Sequence, residues 1–221
     1  MRIIAGKYRR RLLQTSPGQT TRPITDRVKE SLFENISQRF QGKCVADIFA
    51  GTGTIGLEAL SRGAKCVTFV EKDKIALQLL QENIELLQCQ AETLIWPADV
   101  LRCSFRPKGK KAASFAPFDV IFFDPPYMMI PGMKAGSPLW LAVARLARED
   151  VSTADATLIL RVPERAEFDL PPQWQIDWTL EMSNMQIHIC NRIPTSSLDM
   201  KQAQEADHLA GDERETGKAE E

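Results

Sequence analysis

A chain of 221 residues, 43% hydrophobic and 26% charged, has room for one α/β domain with appendages but not for two full domains. Its apolar runs are broken by charge, Gly or Pro, which excludes a membrane-spanning helix, and the start Met1-Arg2-Ile3-Ile4 lacks a secretion signal's apolar core, so a cytoplasmic protein is expected. The net charge of −1 averages a basic head and an acidic tail: residues 1–29 hold eight Lys or Arg against Asp26, whereas 199–221 hold eight acids against three cations.

Residues 2–14 alternate weakly (Ile3, Ile4, Tyr8, Leu12, Leu13) around Ala5-Gly6-Lys7 and predict a short hairpin. Residues 15–24, rich in Ser, Pro, Gly and Thr, read as a connector. Thr25 or Asp26 caps a helix running to about Arg39, with Val28, Leu32, Ile36 and Phe40 at four-residue spacing. Residues 1–40 thus form a basic hairpin-and-helix extension. A solvated face is the ordinary reading of such a charge run. Eight cations mixed with Tyr8 nevertheless favour phosphate contacts, with Arg9, Arg10, Arg11, Arg22 and Arg27 as candidates.

A regular alternation follows. Strands are expected at Cys44–Phe49, Cys66–Val70, Thr93–Trp96, Phe118–Phe123 and Ala156–Val162. Helices are expected after the first strand to near Gly63, from an Asp73 cap to about Leu87, and around 138–148. Residues 173–181 and 185–191 read as two closing strands joined at Ser183-Asn184. The pattern predicts an α/β fold with a doubly wound, mainly parallel sheet and an antiparallel element at one edge. Residues 41–194 form this domain, and 195–221 read as a disordered tail. The five cysteines make no C-x-x-C pair, and Cys44, Cys66 and Cys190 fall in strands, so buried reduced thiols are expected, without a disulfide or a metal site. His188 and His208 show no partner pattern.

The turn Asp47-Ile48-Phe49-Ala50-Gly51-Thr52-Gly53-Thr54-Ile55-Gly56 joins the first strand to its helix. Glycines let the backbone turn sharply and approach a ligand closely. Glu71 ends the second strand, where an acid can accept from ribose hydroxyls, and Lys72 follows it. Asp99, after the third strand and beside Val100, lies where an adenine ring would sit. Asp47, Phe49, Ala50, Gly51, Thr52, Gly53, Gly56, Glu71, Lys72, Asp99 and Val100 are the candidate cofactor-binding residues. The spacing of Gly51, Gly53 and Gly56 equally fits a dinucleotide fold, so the turn alone indicates only a nucleotide-type cofactor.

Asp124-Pro125-Pro126-Tyr127 ends the fourth strand. Two prolines cannot continue a central strand, so the chain leaves the sheet there and Asp124 falls at its carboxyl edge, where ligands bind. An exocyclic amine is a poor nucleophile because its lone pair is delocalised into the ring. A carboxylate and a carbonyl that each accept one N–H would let the nitrogen pyramidalise toward a methyl donor, with Tyr127 as a stacking face. Asp124, Pro125, Pro126 and Tyr127 are therefore the candidate catalytic residues.

With these residues in place the chain resembles the RsmD-like family of bacterial 16S ribosomal RNA guanine-N2 methyltransferases, from Met1 to about Arg192. The resemblance is carried by Met1–Gly6, Thr21–Phe33, Phe49–Ala64 and Asp124–Tyr127. It implies a seven-stranded, Rossmann-like class I methyltransferase fold, S-adenosylmethionine as donor, and N2 of a guanine in small-subunit RNA or its assembly particle as acceptor; a methyl already activated by a sulfonium needs no metal. It also implies cofactor binding by Asp47–Gly56, Glu71 and Asp99. The protein is read as a monomer. Two departures stand out: a glycine usual in the family is Arg10 here, and the fifth strand continues as Arg161-Val162-Pro163-Glu164 where relatives often place a glutamate. A NAD-dependent oxidoreductase shares the glycine spacing but leaves the Asp-Pro-Pro-Tyr element without a role. Adenine-N6 methylation uses similar chemistry, and a non-catalytic RNA-binding or assembly factor would not need an intact site. Arg102, Arg106, Lys108, Lys110 and Lys111 form a second basic cluster, an RNA-contacting loop or a flexible insert.

Overall fold

In the computed structural model, which describes residues 1–15, 26–36, 39–107, 109–182 and 184–194, strand and helix alternate as the residue pattern requires. Helix α1 (Asp26–Ile36) precedes β1 (Cys44–Ile48), α2 (Thr54–Ser61), β2 (Cys66–Glu71), α3 (Lys74–Leu87) and β3 (Thr93–Pro97). A short α4 (Lys110–Ala113), β4 (Phe118–Phe123), α5 (Pro138–Leu146), β5 (Ser152–Pro163), β6 (Trp174–Met182) and β7 (Met185–Arg192) complete the order. The seven strands form one sheet in the order β3-β2-β1-β4-β5-β7-β6. Strands β1 to β5 run parallel, and β7 lies antiparallel to both β5 and β6.

Side chains alternate across the sheet with period two, and each set meets its own layer of helices. Val45, Val67, Phe69, Val120 and Phe122 join Leu32, Phe33 and Ile36 of α1, Leu57 of α2 and Leu80 of α3. Ala46, Ile48, Val70, Ile121, Phe123 and Leu158 face the other way, toward Leu139, Val143 and Leu146 of α5. Burial on both faces is why β1 and β4 are apolar apart from Asp47 and Asp119. Asp73 caps α3 by accepting from Ala76 N at 2.8 Å, as expected, and Ser137 caps α5 ahead of Pro138.

The N-terminal hairpin is looser than expected. A single bridge, Arg2 with Leu12, joins its arms, supported by Ile3 N to Arg11 O and Leu13 N to Met1 O. What fixes it is α2. The fully buried Glu58 carboxylate accepts from Ile4 N and Ala5 N and from Arg62 Nε at 2.8 Å, and it forms an ion pair with Lys29 Nζ at 3.3 Å. Strand β1 stops at Ile48, one residue short of expectation, because Phe49 turns to φ 64°. Strand β5 begins at Ser152, four residues early, because Ser152 pairs with Phe118 before a bulge. The basic segment after β3 is anchored over its first part: Phe105 is buried and Arg145 donates to the Leu101 and Cys103 carbonyls. All five cysteines are free and buried. The expected turn residue Ser183 and the tail 195–221 lie outside the described residues, and no described helix is long and apolar enough to cross a membrane.

Candidate active site

The carboxyl ends of the parallel strands open into a cleft of about 1230 Å³. Strand β1 delivers Asp47 and the turn Phe49–Thr52, β2 delivers Glu71, and β4 delivers Asp124 through Tyr127. Lys72, Ala98 and Val100 form a further wall, and Met1 and Thr15 bring the N-terminal segment to the rim.

The glycine turn is open on one side and closely packed on the other. Gly51, at φ 55°, has open space where a Cβ would stand. Gly53, at φ 79°, precedes α2, and a Cβ there would collide with the Leu80 side chain. Phe49 holds a left-handed backbone without glycine's freedom, a strain of about 1–3 kcal/mol. The bonds from Phe49 N and Ala50 N to the Val70 carbonyl hold it there. Glu71 is locked in place by three backbone N–H groups: Gly51 N at 2.9 Å, Lys72 N at 2.7 Å and Asp73 N at 2.8 Å. Asn83 of α3 ties the turn to the N-terminal segment, donating to Thr52 O and Gln14 O.

Asp47 is buried and accepts from Gly56 N at 2.8 Å. Burial pushes its carboxyl up to about 8 against that hydrogen bond, and the neighbouring Asp124 and Glu71 carboxylates push the same way. Asp124 is mostly buried too, and its carboxyl is raised by burial while Arg161 pulls it back. Arg161 Nε donates to Asp124 Oδ1 at 2.6 Å, and the guanidinium carbon lies 5.4 Å from the Tyr127 ring centre. Pro126 O accepts from Met129 N, whereas the Pro125 carbonyl accepts no backbone N–H among the described residues.

The candidate residues do not all meet in one place. Asp47, Phe49, Ala50, Gly51, Thr52, Glu71, Lys72 and Val100 share the cleft with Asp124, Pro125, Pro126 and Tyr127. Gly53 and Gly56 stand behind it, between turn and sheet. Asp99 sits beside the wall, its Oδ1 accepting from Leu101 N and its Oδ2 3.4 Å from Lys72 Nζ. Arg9, Arg10 and Arg11 are exposed on the N-terminal hairpin away from the cleft lining, and Arg10 has φ 68°, a conformation that suits the glycine usual there. Arg22 and the Arg27 side chain lie outside the described residues. Sequence reasoning assigned no role to Arg161 or Asn83. A lone cation closing the apolar run Leu158-Ile159-Leu160 was the available signal for the first.

The family described as Conserved hypothetical protein 95 matches residues 1–169, from the N-terminal hairpin through β4 and β5. The chain belongs to this family. Among its relatives, the Ribosomal RNA small subunit methyltransferase D of Haemophilus influenzae is 42% identical over 128 residues, 58% of this chain and 64% of that protein. The Bacillus subtilis protein YlbH is 39% identical over 127 residues, 58% of this chain and 67% of its own length. The match therefore spans about two thirds of the curated relatives' length. The solved structure of yhhF from Escherichia coli superposes with a TM-score of 0.70 at 26% identity, covering 87% of this chain and 97% of that one. The RsmD-like resemblance is thus correct, and the fold is the Rossmann-like class I methyltransferase fold expected from it.

Proposed function

We propose that this protein transfers a methyl group from S-adenosylmethionine to the exocyclic N2 amine of a guanine in 16S ribosomal RNA. The observation that carries the reading is the convergence of Asp124 and the open Pro125 carbonyl with the Gly51–Glu71 cradle on one cleft. The name of the Haemophilus relative supports the RNA substrate.

The residues present suit the cofactor. Glu71, pre-oriented by its three N–H donors, offers its remaining lone pairs to ribose hydroxyls, and the open face of Gly51 admits close backbone approach. Val100 and Asp99 would border the adenine. When bound, S-adenosylmethionine supplies a methyl group already activated by a sulfonium. The chain's own contribution is orientation. Asp124 and the Pro125 carbonyl each accept one amine N–H, which turns the nitrogen lone pair out of the base plane and supports the positive charge growing on it. Arg161 lies over one face of Tyr127, so stacking of the base falls to the other. The exposed arginines of residues 1–40 hold RNA phosphates, while 41–194 carry the chemistry.

Two expected outcomes follow for the separate binding functions. Glu71→Ala should weaken S-adenosylmethionine binding at least tenfold, about 1.4 kcal/mol, by titration calorimetry. Binding of NADH with no response to S-adenosylmethionine would instead favour an oxidoreductase. Replacing Arg9, Arg10 and Arg11 together with alanine should weaken RNA binding and flatten its salt dependence by up to about three phosphate contacts. An unchanged slope would make these arginines ordinary surface. The reaction itself is tested with labelled S-adenosylmethionine and small ribosomal subunits from cells lacking the enzyme. Nucleoside digestion should yield labelled N2-methylguanosine, and label in N6-methyladenosine alone would contradict the proposal.

A further inference from the structure

Asp124 has a built partner whose role is not exhausted by charge. Arg161 follows Leu160, which pairs with Phe123, so Arg161, still within β5, stands level with Asp124 where the chain leaves β4. Nε donates to Asp124 Oδ1 at 2.6 Å, and the two side chains are only 10% and 15% exposed. The guanidinium also lies against Tyr127. Nη1 is different: it is buried and has no hydrogen-bond partner among the described residues, although Arg161 lines the cleft.

A guanidinium carries five N–H donors in a rigid fork, and a buried donor left unmet destabilises the fold. An aliphatic residue would continue the run Leu158-Ile159-Leu160 without that penalty. Retaining a cation there, with one donor group unmet beside a ligand cleft, makes sense if the ligand completes its hydrogen bonds. Resting on the reading of Asp124 as the amine acceptor, we infer that Arg161 is a positioning residue that holds Asp124 by Oδ1, leaves Oδ2 for the amine N–H, and gives Nη1 to an acceptor atom of the base beside that amine. Of the two ring nitrogens beside the amine-bearing carbon of guanine, the one that carries no hydrogen is such an acceptor. Planar fork geometry then fixes the carboxylate and the base together, which a point charge cannot do. The charged and titratable groups facing Asp124 among the described residues are Arg161 from β5, Asp47 from β1 and Tyr127 on its own turn.

Arg161→Met and Arg161→Lys separate the two arms. Carbon-13 NMR of the Asp124 carboxyl in the free protein needs no RNA. The Met variant should raise its titration midpoint by at least one pH unit, and the Lys variant should restore most of the difference. Methyl transfer to small ribosomal subunits from cells lacking the enzyme should fall at least tenfold for Arg161→Met at neutral pH, its acidic limb moving up in step with the NMR titration. Arg161→Lys should keep the limb near that of the natural protein while its apparent RNA constant rises several-fold. A Met variant with an unchanged titration and pH profile would overturn the inference, as would a Lys variant with unchanged turnover and RNA constant. Should Arg161→Met fail to fold, the Lys variant decides by the same kinetic outcomes. If the natural protein transferred no methyl group, the methyltransferase reading would fail, while the titration would still judge the Arg161–Asp124 pairing on its own.

Discussion

Asp124→Ala is expected to lower methyl-transfer turnover by about a hundredfold or more, the loss typical when a preorganised electrostatic partner of the transition state is removed. The nitrogen is neutral in the ground state and gains positive charge only as the new bond forms, so the carboxylate's interaction strengthens along the reaction. Its orientation is set before the base arrives: Asp124 N donates to Ile48 O at 3.3 Å, Arg161 holds Oδ1, and two prolines fix the chain beyond. Cofactor affinity should change little, because Glu71 and the glycine turn are left intact. Tyr127→Ala should behave differently, chiefly raising the apparent RNA constant, since stacking acts alike in ground and transition states. Single-turnover kinetics with separate calorimetry measures both. Normal turnover in Asp124→Ala would remove the residue from the chemistry.

Glu58→Ala is expected to destabilise the fold by about 3–5 kcal/mol, the range for breaking a buried ion pair. The side chain is fully shielded and gathers four partners from three parts of the chain: the donors Ile4 N and Ala5 N, the Lys29 ammonium of α1, and Arg62 just past the end of α2. Alanine leaves those largely buried donors without their acceptor, and unmet buried donors are costly. For a domain of this size the midpoint of thermal unfolding should fall by about 10 °C. The consequence reaches the cleft, because Met1 and Thr15 at its rim belong to the segment that Glu58 docks. Scanning calorimetry showing a loss below about 1 kcal/mol would mean that the ion cluster is dispensable.

Local signals made the sheet and much of the candidate site readable. The Asp-Pro-Pro-Tyr element announced its position because proline cannot remain in a central strand, and Glu71 because an acid closing an apolar run stands out. Asp73 declared its helix by ordinary capping chemistry. The unread parts depend on contacts far apart in the chain. Glu58 looks like any helix acid until residues 4 and 5 fold back on it, 54 and 53 positions away. Asn83 reads as a surface residue of α3, yet it is buried between Thr52 and Gln14. Arg161 meets Asp124 only because β4 and β5 are neighbours, 37 residues apart in sequence. Ser152–Asp155 looks like a loop by polarity, but Ser152 pairs with Phe118 ahead of the bulge, which extends β5 backward. The backbone strain at Phe49 has no compositional trace, since an aromatic residue is an unexpected tenant of a left-handed conformation.

The central claim is tested most directly by mass-spectrometric mapping of 16S ribosomal RNA from cells without this gene, complemented with the natural protein or with Asp124→Ala. One N2-methylguanosine should disappear on deletion, return with the natural protein, and stay absent or strongly reduced with Asp124→Ala. An unchanged set of N2-methylguanosines after deletion, or full restoration by Asp124→Ala, would contradict the account.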